Sequence, residues 1–254
     1  MVNTELSLPF VSAPVAPVAL DVDLRTLPTV PPWAPGDPII DFQEPAEPER
    51  LARLPAPGNV IGSPATAGQA IAAAVHQPLM SSACATDPVL SDPIVNFDGI
   101  FTGVRPPDTN GDVGPSHYMQ ARNSQFAVYS KQGSLLAGPF DLNAMWMNTN
   151  DADCMLNSGD PVVKYDRLAD RWLLASFRQP NHVCIAISQG PDPVTGGWFL
   201  YKFTAGGSFP DYIKIGVWPD AYYMGANIAN AAWAFDRDNM LTGSPAGVIW
   251  FATS

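Results

Sequence analysis

A repeat with a period of about 50 residues constrains the fold of this 254-residue chain more than any other feature. Three segments each open with an aspartate and reach an aromatic residue, where an apolar strand begins, ten to twelve positions later. The pairs are Asp108 and Tyr118, Asp160 and Trp172, and Asp211 and Tyr223. The period is typical of β-propeller blades, because one four-stranded sheet cannot bury both faces until it stacks on others.

The pattern predicts an all-β fold over residues 93–254, namely a partial β-propeller of about three four-stranded blades. Propellers usually close a ring of about four to eight blades, and the sequence stops at "GVIWFATS", inside another strand-like run. We therefore expect the domain to be incomplete. A β-sandwich would give short strands and turns without a 50-residue period, and chance similarity between β-rich segments is the other alternative.

Residues 1–92 differ from the rest in composition. They hold more than half of the 27 prolines but only three aromatic residues, Phe10, Trp33 and Phe42. Because proline fixes φ and removes a backbone donor, runs such as "PTVPPWAPGDP" favour an extended chain. We predict a Pro-rich tail or linker without a core of its own, parts of which pin onto the domain through Trp33.

The formal charge of -11 restricts the partners of the chain. So acidic a surface repels phosphate backbones, which argues against nucleic acid. No run of about 18 apolar residues predicts a membrane span. The first 20 residues lack a basic stretch and contain helix-breaking prolines, so no signal peptide is evident. Composition favours an extracellular or cell-surface protein, with a cytosolic one as the alternative, and leaves the oligomeric state open.

Two of the three cysteines are spaced to form a disulfide. Cys154 precedes a predicted strand pair and Cys184 lies within the next, so a bond between them would close a loop of about thirty residues. The alternative is two buried thiols. Cys84 lies in the tail and is expected to be unpaired. No cysteine or histidine spacing suggests zinc.

The stretch "PPDTNGDVGP" suggests one cofactor, calcium. Asp108, Asn110 and Asp112 alternate along the chain and could direct several oxygens at one hard cation. An EF-hand is excluded, because Val113 stands where that loop needs glycine and Met119 where it needs glutamate. The alternative is a structural turn in which the two aspartates accept backbone N–H bonds.

Four residues are candidates for ligand binding: Asp160, Asp211, Trp172 and Tyr223. They belong to the strand starts and to a Trp/Tyr stripe that could stack on sugar rings or form the core between blades. The stripe consists of Trp146, Trp172, Trp198, Trp218, Tyr222 and Tyr223. The acidic loop 148–160 could bind a cation or a sugar. The alternative is a solvated loop that a disulfide at Cys154 constrains.

No catalytic residue is assigned. The chain lacks GxSxG, SxxK and GxGxxG motifs. Glycoside hydrolysis needs a pair of carboxylates, which the strand-start residues Asp108, Asp160 and Asp211 could supply if they converge. However, all four glutamates lie in the tail. Enzyme activity is therefore uncertain, and its absence is the better expectation.

Three long motifs carry a resemblance to known proteins. They are "NFDGIFTGVRPPDTNGDVGPSHYMQ", "GDPVVKYDRLADRWLLASF" and "DYIKIGVWPDAYYM". With shorter matches they resemble an uncharacterised family of large secreted bacterial β-propeller-like proteins, over roughly residues 19–40 and 92–243. The resemblance implies a secreted propeller-like domain and no particular activity. The chain departs from the family pattern in lacking a clear signal peptide and the downstream half.

Two functions follow as expectations. The first is a secreted, extracellular binding or adhesion-type module whose ligand is a glycan or a protein. The alternative is a carbohydrate-active hydrolase or lyase whose site is shared with missing downstream blades. Further blades carrying an inner glutamate would favour the enzyme.

Overall fold

The computed structural model describes residues 9–41, 93–206, 209–227 and 231–252. This part of the chain is mostly strand and turn, so the predicted all-β class is confirmed. Its strands are β1 (Phe10–Val11), β2 (Val18–Leu20), β3 (Ile40–Asp41), β4 (Val104–Arg105), β5 (Asn110–Val113), β6 (His117–Arg122), β7 (Gln125–Ser130), β8 (Leu135–Asp141), β9 (Val162–Asp166), β10 (Arg171–Arg178), β11 (His182–Ser188), β12 (Trp198–Thr204), β13 (Lys214–Val217), β14 (Ala221–Gly225), β15 (Ala231–Asp236) and β16 (Val248–Ala252).

Twelve of these strands form three antiparallel four-stranded meanders. Sheet 1 contains β5 to β8, sheet 2 contains β9 to β12 and sheet 3 contains β13 to β16, each in chain order. Their first strands begin at Asn110, Val162 and Lys214, two steps of 52 residues. The predicted four-stranded unit is therefore present. Among the described residues the sheets close no ring, so the coarser all-β description is the one established.

The three sheets stack, and sheet 2 is buried on both faces. Successive side chains of a strand point to opposite faces, so Val163 and Leu174 pack in the cluster shared with sheet 1. Val162 and Leu173 pack in a second cluster shared with sheet 3. These two apolar interfaces form the core.

The outer faces of the stack differ. On sheet 1, Ala127 and Tyr129 are covered by Phe97 and Ile100 from the preceding segment. On sheet 3, the outer face carries Tyr223, Ile249 and Phe251, all of which are exposed. An apolar side chain on an open sheet face is accessible to a ligand or partner.

Residues 9–41 contribute to the sheets. β1 pairs with β16 and β2 with β12, each at the edge of its sheet. A 3-10 helix at Leu24–Thr26 places the fully buried Leu24 in the core between sheets 1 and 2. The backbone N–H of Trp33 donates to the carbonyl of Phe101, 3.4 Å away. The predicted contact through Trp33 is present, while the tail boundary at residue 92 stays a prediction because residues 42–92 lie outside the described part.

The third repeat is offset by one residue from its predicted alignment. Two positions before β5, β9 and β13 stand Asp108, Asp160 and Tyr212, with φ of +37°, +48° and +53°. Tyr212, rather than Asp211, is thus equivalent to the first two aspartates. A one-residue slip reverses the face of every side chain, so Tyr223 faces outward where Trp172 is buried.

One short helix, α1 (Arg237–Thr242), interrupts sheet 3 between β15 and β16. Asp236 caps it by accepting the N–H of Asn239 at 3.2 Å, and Gly243 ends it with φ of +69°. No described helix is long and apolar enough to cross a membrane.

Candidate functional site

Trp172, a predicted ligand-binding residue, is a core residue. Its side chain is 1% exposed and packs on Tyr165 at 5.1 Å between ring centroids. The indole Nε1–H donates to the carbonyl of Pro191 at 3.2 Å. Because both its apolar face and its donor are used inside the fold, it cannot reach a ligand without unfolding of sheet 2.

Asp160, another predicted ligand-binding residue, joins sheets. It is buried, its N–H donates to Asn123 Oδ1 at 2.8 Å, and its Oδ2 accepts the N–H of Tyr212 at 3.0 Å. Asp211 is half-buried next to this contact, and its N–H donates to the carbonyl of Phe209 at 3.0 Å. Both residues are in structural contacts at the starts of β9 and β13.

The three predicted calcium ligands also contact protein groups. Asn110 Oδ1 and Asp112 Oδ2 accept the N–H groups of Val163 and Tyr165, both at 2.9 Å, across the gap between sheets 1 and 2. Asp108 Oδ2 accepts Asn123 Nδ2 at 2.5 Å. In the described part of the chain no three His, Cys, Asp or Glu side chains are grouped to hold a metal. Calcium at Asp108, Asn110 and Asp112 stays a prediction.

The acidic loop 148–160 is tied to sheet 2 by charge and by a disulfide. Cys154 and Cys184 are bonded, with Cα atoms 5.9 Å apart, as predicted. Lys202 Nζ lies 3.1 Å from Asp151 Oδ2 and 2.8 Å from Asp153 Oδ2. The hydrogen bond from Lys202 lowers the pKa of Asp153. These carboxylates therefore have a cation of the protein beside them.

The structure divides the Trp/Tyr stripe into core and surface. The buried members are Trp146, Trp172, Trp198 and Tyr222. Trp218 and Tyr223 are 65% and 42% exposed. Only this pair of the stripe can stack on a ligand, and of the four predicted ligand-binding residues Tyr223 alone belongs to it.

Trp218 and Tyr223 line a shallow, open cleft on the outer face of sheet 3. The cleft has a volume of about 300 Å³ and is lined by Gly216, Val217, Trp218 and Tyr223. Gly216 and Tyr223 are directly opposite in the β13–β14 pair. No heavy atom lies within 4 Å of the place where a Cβ of Gly216 would be, so the space above the glycine is open.

Two contacts hold these two residues. The turn between β13 and β14 is closed by the N–H of Trp218, which donates to the carbonyl of Ala221 at 3.1 Å. The hydroxyl of Tyr223 donates to Asp220 Oδ2 at 2.9 Å, a bond that raises the pKa of Tyr223. This bond places the Asp220 carboxylate at the hydroxyl end of the Tyr223 ring, next to the cleft.

Lys214 is the first residue of β13, the strand that contains Gly216. Lys214 Nζ is 3.3 Å from the centroid of the Tyr212 ring, a cation–π contact. Burial lowers the pKa of Lys214, while the charges of Asp160, Asp108 and Asp211 act in the opposite direction. These charges act on Lys214 from the starts of β5, β9 and β13, while a shared site of Asp108, Asp160 and Asp211 stays a prediction.

Sequence reasoning missed a buried ion pair between sheets 2 and 3. Arg237 Nε donates to Asp166 Oδ2 at 2.7 Å, and the hydroxyl of Tyr222 donates to the same oxygen at 2.8 Å. Although burial raises it, these bonds together hold the pKa of Asp166 below its usual value. The motifs "KYDRLADRW" and "AFDRDNML" contain both charges, but 71 residues separate them and no local pattern joins them.

Comparison of the chain with family models, curated proteins and solved structures finds no match. The resemblance to secreted propeller-like proteins therefore stays a prediction. The feature that points to a function is the site itself, an exposed aromatic cleft that includes Gly216 on an all-β scaffold.

Proposed function

We propose that this protein is an extracellular binding module of the β-propeller class and that it binds a glycan in the Trp218–Tyr223 cleft. The observation that carries the proposal is the exposure of two aromatic rings that line one cleft with Gly216, while the other stripe aromatics are buried. Buried tryptophans need no further explanation, whereas exposed ones beside a cleft mark a binding surface.

The chemistry of the cleft fits a sugar. The C–H groups of a pyranose ring pack against an aromatic face, which removes apolar area from water. Its hydroxyls can donate to Asp220, which already orients Tyr223. The cleft volume of about 300 Å³ is at the lower end of ligand sites, which suits one or two rings.

Two further observations support the wider proposal. Three antiparallel meanders whose first strands are 52 residues apart have the strand number and order of propeller blades. The Cys154–Cys184 disulfide favours an oxidising compartment, since disulfides rarely persist in the cytosol.

The experiment is glycan-array screening followed by calorimetry with the oligosaccharide that binds best. Trp218→Ala and Tyr223→Ala should each weaken binding at least about ten-fold, because central aromatic residues carry most of the energy of such contacts. Leu168→Ala is the matched control, since Leu168 is an exposed apolar residue in the equivalent turn of sheet 2. It should leave affinity unchanged.

Two results would count against the proposal. One is the absence of any glycan ligand, and the other is binding that survives both aromatic substitutions in folded protein. Chromatography of the oligosaccharide after incubation tests the hydrolase or lyase alternative. Cleaved products that disappear with Asp160→Asn or Asp211→Asn would favour an enzyme over a binding module.

A further inference from the structure

A second cavity lies where residues 31–41 cross the segment that leads into sheet 1. It has a volume of about 470 Å³, and its walls include Trp33, Ile39, Val104, Arg105 and Arg122. β3 pairs in parallel with β4 at this point, which fixes the two segments together. The cavity is separate from the Trp218–Tyr223 cleft and shares no lining residue with it.

The aromatic wall of this cavity is held in place. Trp33 Nε1 donates to the carbonyls of Asp37 and Pro38, both at 3.2 Å. Gly103 lets the two segments approach, because a Cβ there would be 2.5 Å from the Pro38 oxygen and 2.7 Å from the Trp33 ring. The indole is therefore a fixed, half-buried surface on one side of the cavity.

The other side of the cavity carries positive charge without a carboxylate partner. Arg122 Nη1 donates to the carbonyl of Ile100 at 3.1 Å, while its Nε is buried and has no acceptor among the described residues. In the same part of the chain, no carboxylate forms an ion pair with Arg122 or Arg105. Burial lowers the pKa of Arg122, as expected for a cation without a nearby anion.

Among the described residues neither arginine has a carboxylate partner, although the sequence has 24 acidic side chains and only 13 Lys and Arg. Arg122 is half-buried, and holding a partly buried cation without a counter-charge is unfavourable. A guanidinium group matches the two oxygens of a carboxylate and binds them strongly where water is scarce. Trp33, Ile39 and Val104 offer apolar area beside that charge for the remainder of a ligand.

We propose that this cavity is a binding site for a ring-bearing carboxylate, with the carboxylate at Arg122 and Arg105 and the ring against Trp33. The same chemistry is present in an acidic sugar such as a uronate and in an aromatic acid. An acidic sugar would make this a second glycan site on the protein, whereas an aromatic acid would make it a site for a small metabolite.

The test is calorimetric titration of the full chain with sodium galacturonate and with sodium benzoate. Galactose and benzamide are the uncharged counterparts. At least one carboxylate should bind about ten-fold more tightly than its uncharged counterpart. The carboxylate that binds more tightly shows whether the ligand is an acidic sugar or an aromatic acid. Inorganic phosphate, which has charge but no ring, should bind more weakly than that carboxylate.

Substitutions assign the binding to this cavity. Arg122→Gln should weaken binding of the carboxylate at least about ten-fold. Arg122→Lys should have an intermediate effect, because it keeps the charge but loses the paired N–H donors of the guanidinium group. Arg105→Gln changes an exposed residue, so it should fold normally and weaken binding several-fold. Arg167→Gln, at an exposed arginine in the turn between β9 and β10, is the matched control that should change nothing.

Three outcomes would overturn the proposal. If each carboxylate binds no more tightly than its uncharged counterpart, the arginines do not bind a carboxylate. Binding of phosphate as tight as that of the better carboxylate would remove the role of Trp33. Unchanged binding in folded Arg122→Gln and Arg105→Gln would place the carboxylate elsewhere.

Discussion

At the scale of single residues, side-chain oxygens join neighbouring sheets where no strand ladder runs between them. Asn110 and Asp112 accept backbone N–H groups of β9 from sheet 1, and Asp160 accepts one from the start of the β13 segment. Asp166 binds Arg237 in the buried interface of sheets 2 and 3. Polar residues that suggested a metal or ligand in the sequence thus satisfy buried donors.

Asp166→Asn should lower the free energy of unfolding by about 3–5 kcal/mol, because it leaves Arg237 buried without a counter-charge. Urea denaturation measures this directly. Asp238→Asn is the control: Asp238 Oδ1 lies 3.8 Å from Arg237 Nη1, but its side chain is 84% exposed. That substitution should cost less than about 0.5 kcal/mol, since exposed pairs contribute little.

The same contact predicts an acid-sensitive fold. The hydrogen bonds of Arg237 and Tyr222 outweigh burial and lower the folded-state pKa of Asp166. Its contribution to stability is therefore complete above the unfolded-state pKa and is lost as the pH falls through the lower folded-state pKa. The difference in stability between the parent and Asp166→Asn should shrink as the pH is lowered below about 4, and a difference that grows would contradict this.

Asp108→Ala should destabilise the protein more than Asp112→Ala. Each loses an acceptor, at a cost of roughly 1–3 kcal/mol. Asp108 also has φ of +37°, which alanine adopts less readily than aspartate, at a further cost of about 1 kcal/mol. Thermal melting with calcium and with chelator checks both this order and the metal hypothesis. Chelator sensitivity that is lost in both variants would establish a calcium site instead.

At the scale of elements, the N-terminal segment is the clearest test of the domain boundary. Leu24 is fully buried between sheets 1 and 2. Leu24→Ala should therefore lower the unfolding free energy of the whole domain by about 2–5 kcal/mol, in a single transition. A separate early transition, or a loss below about 0.5 kcal/mol, would show that residues 9–41 are a detachable tail.

The elements that were predictable from sequence are those with local signals. The strands follow from alternating apolar segments, and the Cys154–Cys184 pair follows from spacing. The alignment of the third repeat was wrong by one residue, because Asp211 resembles Asp108 and Asp160 in type while Tyr212 shares their backbone conformation. Trp218 and Tyr223 could not be separated from the buried aromatics, since exposure depends on which face of sheet 3 is covered.

Some features depend on contacts distant in sequence, so the sequence alone could not reveal them. The Asp166–Arg237 bond spans 71 residues. The Trp33–Arg122 cavity requires residues 31–41, expected to be tail, to lie across the segment that precedes sheet 1. The ion pair and the cavity form only when whole sheets and segments pack together.

At the scale of the whole molecule, the stack of three sheets has two unequal ends. The end formed by sheet 1 is covered by Phe97 and Ile100. The end formed by sheet 3 exposes Tyr223, Ile249 and Phe251 on one face. The Trp218–Tyr223 cleft lies on this face, at the edge formed by β13. This face offers apolar side chains to a ligand, which is why the binding proposal centres on it.

The most direct test of this account is the indole region of a ¹⁵N-correlated NMR spectrum during titration with the oligosaccharide selected by the array. The Trp218 signal, assigned with Trp218→Phe, should move progressively until the site is saturated. The signals of the buried Trp172 and Trp198 should stay within the range of small indirect shifts. A titration in which Trp218 does not move while the glycan binds would contradict the central claim.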